Sequence, residues 1–197
     1  MNPTKKLPLF VITGASGVGK STISEKLFEN EMKYIVLESD ILWHDRFNSP
    51  ETDYREYSEF KLRLCKNISQ AGLPVVLCGC VVPRQFEICD DRKCFSNIHY
   101  IAITSDEETL VLRMKDGRKI QDENWINSSV DFNRWLKENA DKTEPPMPIL
   151  DYSAFTALHT FENSPFSTSG TCLCTVWTER AGESEKTEGR CTRTAAN

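Results

Sequence analysis

The chain has 197 residues, of which 39 % are hydrophobic and 27 % charged, with a formal net charge of −5. That length and apolar share suit one domain with a sizeable core. The acid excess excludes a broad basic field for nucleic acid or an anionic membrane, and no apolar run approaches the roughly 18 residues of a membrane-spanning helix.

In chain order, Lys5 and Lys6 precede the short apolar run Leu7 to Thr13, which predicts a strand buried on both faces. The run leads straight into a glycine-rich turn, so no secretory leader is expected and the location predicted is the cytoplasm. Eight cysteines contain no C-x-x-C pair and no histidine at zinc-ligand spacing, which reads as reduced thiols. Ile23, Leu27 and Phe28 predict a helix over 20–30, and Tyr34 to Leu37 a second strand, ending in Glu38-Ser39-Asp40. Tyr54, Tyr57, Lys61, Leu64 and Ile68 share one helical face, so 52–71 reads as a long helix, with Lys61 stretching its ammonium outward.

Gly72-Leu73-Pro74 ends that helix before a third strand at 75–78. Ile98 to Ile103 is a fourth, followed by Ser105-Asp106-Glu107-Glu108, a helix start with acid in its first turn. Ile149-Leu150-Asp151, after a proline cluster, is a fifth. The alternation predicts an α/β fold, a five-stranded parallel sheet between helices. Residues 163–197 are rich in Ser, Thr, Gly and Glu without periodicity, so the domain is set at 1–162 and the remainder read as a poorly ordered tail.

Gly14-Ala15-Ser16-Gly17-Val18-Gly19-Lys20-Ser21 fits G-x-x-x-x-G-K-[ST] without a gap. Such glycines let successive N–H groups point inward at phosphate oxygens, and the following helix aims its positive end at the same anion. Lys20 reaches the β- and γ-phosphates, the Ser21 hydroxyl ligates Mg²⁺, and Thr22 extends the nucleotide-binding segment. The chain is therefore expected to bind ATP with magnesium. Nothing reads N-K-x-D, the guanine-specificity sequence, and the chain is short for a hexameric motor. Small-molecule kinases are the class that remains.

The sequence resembles the adenylate kinase-like group of P-loop kinases, which includes shikimate, gluconate and nucleoside-type kinases. The resemblance spans residues 7–155 and implies the P-loop NTPase fold, a helical substrate-binding insertion and a mobile lid. An acid after the second strand faces the acceptor in that group, which puts Asp40 on the acceptor hydroxyl or on Mg²⁺; as a plain residue it could also cap a helix starting at Ile41. Glu38 is the weaker candidate, because its side chain is expected to point the other way. Gly79 and Pro83-Arg84 resemble a D-G-F-P-R run whose arginine grips an acceptor phosphate, but Cys78 stands in place of the aspartate and two residues are added. Arg84 is thus a substrate ligand or a surface arginine.

Arg113-Met114-Lys115-Asp116-Gly117-Arg118 is similar to the R-x-x-G-R that opens the lid, with one residue added. The resemblance implies that Arg113 stacks on adenine and Arg118 contacts the transferring phosphate, with Arg134 as a second lid arginine. A solvated basic helix end is the plainer reading. Residues 117–145 read as the lid or as an ordinary helical hairpin. Trp43, Tyr54 and Tyr57 offer aromatic faces to an acceptor, or pack in the core. The function expected is transfer of the γ-phosphate of Mg·ATP to a small metabolite, a nucleoside or nucleotide first. The alternatives are a sensor or degenerate kinase without transfer, and a nucleotide hydrolase. A small-molecule acceptor is the partner expected, with no nucleic acid and no membrane; oligomeric state is left open.

Overall fold

The opening apolar run becomes β1 (Leu9–Gly14), whose Leu9, Val11 and Ile12 are buried between helical layers in a computed structural model of the chain. Residues 6–30 and 33–153 are described. The chain divides into two units, Met1–Ala154 and Phe155–Asn197, and every described residue lies in the first. The expected domain end at 162 and the expected tail at 163–197 fall outside the described residues.

After β1 come α1 (Lys20–Asn30), β2 (Ile35–Glu38), α2 (Arg55–Ser69), β3 (Val75–Gly79) and α3 (Pro83–Glu87). The second half supplies β4 (Ile98–Thr104), α4 (Glu107–Leu112), α5 (Glu123–Asn139) and β5 (Ile149–Asp151). The five strands pair in the order β2-β3-β1-β4-β5 and every pairing is parallel. The five-stranded parallel sheet read from the alternation is therefore present, and it has the P-loop NTPase arrangement. Parallel pairing puts all strand carboxyl ends on one edge. The chain builds one side of β1 and then crosses to the other, and such a switch point opens a crevice beyond the strand ends.

Helix α2 differs from its sequence reading. It starts at Arg55, because Asp53 and Tyr54 both sit in the left-handed region, at φ 54° and 56°. Its buried stripe is Tyr57, Ser58, Lys61, Leu62 and Cys65, so Leu62 and Cys65 rather than Leu64 face the sheet. They join Leu77, Phe86, Tyr100 and Leu136 in one apolar cluster. The Ser105-Asp106 start is as read: the Asp106 carboxylate accepts from Thr109 N at 2.7 Å and caps α4.

The segment 117–145 is mostly α5, capped by Asp122, which accepts from Asn124 N and Trp125 N. Leu136 and Ala140 belong to the core, and Asn133 is fully buried. The carboxyl half of α5 is packed into the sandwich, as in the helical alternative to the lid reading. No helix among the described residues is long and apolar enough to cross a membrane.

Asn133 fastens α5 to the end of β4. Its side chain accepts from Ser105 N at 3.1 Å and donates to Ser105 O at 2.8 Å. Asn133→Ala leaves that buried backbone pair unmatched and is expected to lower unfolding free energy by about 2–3 kcal/mol, read from urea midpoints.

Candidate active site

The loop between β1 and α1 lies at the crevice beside the central strand. Gly19 has φ +115°, and a Cβ there would lie 2.8 Å from the Tyr152 ring, so no other residue fits without strain. Lys20 opens α1 and is nearly buried. Its ammonium donates to Gly14 O at 2.8 Å and Ala15 O at 3.0 Å, with the Asp40 carboxylate 3.4 Å away. A cation is thereby held over the inner curve of the loop, where backbone N–H groups and the α1 amino end also favour an anion. Ala15, Ser16 and Ser21 line the cleft itself; Thr22 is exposed and does not.

Both acids after β2 reach this loop. Glu38 is corrected upward: its carboxylate accepts from Ser21 Oγ at 3.2 Å and from Ser24 Oγ. Strand alternation gave no ground for setting it aside, because residues two apart share a face and β2 ends at Glu38. Asp40 begins a single 3-10 turn, and its carboxylate lies against Lys20 rather than capping that turn. Cys78 pairs with Ile12 and Glu38 in the sheet. Burial, with Glu38 nearby, pushes its thiol up to about 12, so it stays neutral and carries no charge to a metal. Glu38, paired with Cys78 across the β2–β3 ladder, brings its carboxylate to Ser21.

Cys80 escaped notice in the sequence. As a residue it is exposed, yet its thiol turns inward, donating to Gly14 O at 3.1 Å with Lys20 Nζ 3.6 Å away. Val81 N donates to Thr13 Oγ1 at 3.0 Å, so the segment following β3 is laced to the end of β1.

A cleft of about 1370 Å³ runs from the loop past Glu38 and Asp40 to α2, α3 and α5. Trp43, Tyr54, Tyr57 and Arg84 all line it. Trp43 meets Tyr57 edge-on at 5.2 Å between centroids and Tyr54 at 6.0 Å. Tyr57 OH donates to Ser39 O at 2.6 Å, tying α2 to the residue before Asp40. Desolvation, with Asp40 near, pushes that phenol up to about 12. Arg84 is exposed and its guanidinium is paired with Asp53, which also accepts from Gln85. Trp125, Phe132 and Trp135 of α5 form the opposite wall.

Lys61 is a correction on this side. It does not stretch outward: it is 2 % exposed, with its ammonium 4.2 Å from the centre of the Tyr57 ring and 5.4 Å from that of Phe86. Burial pushes its pKa down to about 8. Periodicity put it on the inner face, and its charge argued for solvent; only the packing decides between them.

Of the arginines, Arg118 reaches the cleft and has no ion pair among the described residues. Arg113 lies behind the loop, donating to Val18 O at 3.1 Å and Tyr152 O at 3.4 Å, with its guanidinium 5.7 Å from the Tyr152 ring centre. Arg134 is not brought to the cleft. It pairs with Glu107 and Asp131 on the protein surface, an ordinary exposed cluster. The same acid-rich start that nucleates α4 draws it away.

The loop, the sheet order and the cleft define a P-loop nucleotide-binding protein with a kinase-like fold. The family described as an AAA domain matches residues 11–134, most of the chain, and the chain belongs to it. The fold is similar to a gluconokinase from Sinorhizobium meliloti 1021, at 18 % identity over 92 % of this chain and 100 % of that one, with TM-score 0.55. It is also similar to a shikimate kinase from Acinetobacter baumannii in complex with shikimate, at 14 % identity over 92 % and 97 %, with TM-score 0.51. A sugar kinase from Janibacter sp. HTCC2649 matches at 18 % identity over 75 % and 86 %, with TM-score 0.51. At these identities the likeness establishes the fold of small-molecule P-loop kinases of the adenylate kinase-like group. No curated protein matches the sequence.

Gly79 tests how closely the strand ends must approach. A Cβ there would lie 1.9 Å from Ser39 Oγ and 3.2 Å from Asp40 Oδ1. Gly79→Ala is expected to push β2's end outward, lowering stability by about 1–3 kcal/mol in urea unfolding and weakening the Tyr57–Ser39 tie.

Proposed function

We propose that this protein is a small-molecule kinase that moves the γ-phosphate of Mg·ATP onto a hydroxyl of a nucleoside or nucleotide. The observation that carries the reading is the meeting of Lys20, Ser21, Glu38 and Asp40 at one end of a cleft whose other end is walled by aromatic rings. Loop N–H groups and Lys20 hold the β- and γ-phosphate oxygens, and Arg118 offsets charge that spreads over the transferring group. The acceptor oxygen attacks the γ-phosphorus in line. The bond from that phosphorus to the β,γ-bridging oxygen breaks, ADP leaves, and the hydroxyl proton passes to the Asp40 carboxylate.

Ser21 Oγ and the Glu38 carboxylate are hard oxygen donors of the kind Mg²⁺ takes, and they would hold the ion beside the loop. Bound there, magnesium supplies neutralisation of phosphate charge. Trp43, Tyr54 and Tyr57 support a ring-bearing acceptor, since flat faces at this depth suit a base. The Glu38 carboxylate on the loop serine favours transfer over a sensor without it, although Cys78 stands where the resemblance has an aspartate.

The test is ADP release from Mg·ATP against nucleosides, nucleoside monophosphates, sugars and small acids. One acceptor should stimulate turnover, and Lys20→Ala should reduce it by about 100-fold or more. Turnover indifferent to every acceptor would favour the hydrolase, and ATP binding without turnover the sensor. In the same assay, Glu38→Gln should raise the Mg²⁺ concentration for half-maximal rate by about tenfold.

A further inference from the structure

Lys61 is a buried charged group in the cleft that phosphate transfer does not use. An ammonium taken out of water without a counter-charge is costly, and proteins ordinarily pair it or neutralise it. Here it is 2 % exposed, its remaining access is to the cleft, and among the described residues it makes no ion pair and no hydrogen bond. The Tyr57 and Phe86 rings compensate part of the loss by facing it at 4.2 and 5.4 Å.

The titratable groups that face it are Asp40 and Cys80 at the strand ends, Cys65 on α2 and Cys89 beyond α3. Burial pushes the thiols of Cys65, Cys80 and Cys89 upward, so they are neutral near pH 7. Asp40 is occupied with Lys20. Arg84, the other cation on this side, already has Asp53 as its partner. A fixed positive charge with cation–π support, open on one side to a cleft, is built to receive an anion from that side.

We propose that Lys61 recognises an anionic group, a carboxylate or a phosphate, on the phosphate acceptor, so that the acceptor is an acid and not a neutral sugar or nucleoside. The inference rests on the reading of this end of the cleft as the acceptor side, and it narrows the acceptor proposed above to its charged members. The anion would sit on the cleft side of the Lys61 ammonium, and Asp40, toward the loop, would meet the hydroxyl to be phosphorylated.

The test is equilibrium binding to the full chain in saturating ADP, by calorimetry, with probes that differ only in the acid group: gluconate against glucose, and AMP against adenosine. The acid member of at least one pair should bind about tenfold or more tighter than its neutral partner. Lys61→Met should erase that preference while changing the neutral partner little. As pH passes about 8, the free ammonium loses its proton, so the wild-type preference should shrink while Lys61→Met stays flat.

Removing a desolvated charge is expected to leave the unfolding midpoint of Lys61→Met no lower than that of wild type, and Lys61→Gln repeats the comparison with a polar side chain. A preference for neutral members, an acid preference that survives Lys61→Met, or no binding by either acid overturns the inference. Gluconate against AMP as the tighter acid tells carboxylate from phosphate. Because binding is read without transfer, acids held by Lys61 in a chain that moves no phosphate would sink the proposed reaction and leave this inference standing. Phosphorylation of a neutral acceptor would do the reverse.

Discussion

The Lys20 ammonium lies 2.8 and 3.0 Å from the Gly14 and Ala15 carbonyls and 3.4 Å from the Asp40 carboxylate, at the end of the central strand. Three separate segments have to converge for that to hold. The glycine-rich loop must curl, which needs the left-handed backbone at Gly19. The end of β2 must come close over Gly79, where no side chain fits. The segment after β3 must turn in, which it does through Val81 and the Cys80 thiol. Each is a consequence of parallel pairing in the order β2-β3-β1-β4-β5, which gathers every strand's carboxyl end on one edge.

The acids beside the loop come from the end of β2 and the turn after it, while β3 brings a thiol. A buried thiol at position 78 stays neutral for want of solvation. Glu38, its partner across the β2–β3 pairing, carries a carboxylate to the loop serine instead. A carboxylate can move one strand sideways because neighbouring strands run only about 5 Å apart, within the reach of a glutamate.

The far end of the cleft obeys a different constraint. Helix α2 presents Tyr57 and Lys61 one turn apart, so the ring and the ammonium meet, and Phe86 of α3 closes the other side. The Tyr57 hydroxyl donates to the carbonyl of Ser39, so the aromatic wall is tied to the backbone one residue before Asp40. Helix α5 faces them with Trp125, Phe132 and Trp135, fixed from below by Asn133 and Leu136.

The loop, the parallel sheet and the candidate roles of Lys20 and Ser21 were legible because they rest on local physics: a gapless glycine pattern, apolar runs of strand length, and a helix start behind them. Asp40 was legible by its place after β2. What tertiary structure alone decided is where charged side chains end up. Glu38 joined the loop, Lys61 went inside, and Arg134 was held on the surface by Glu107. Periodicity tells which face of an element is buried but not what lies opposite, and a charge is placed by its partners. For Glu38 the partner lies 17 residues away in sequence, for Arg134 it lies 27 away, and for Lys61 two aromatic rings face an ammonium with no counter-ion among the described residues.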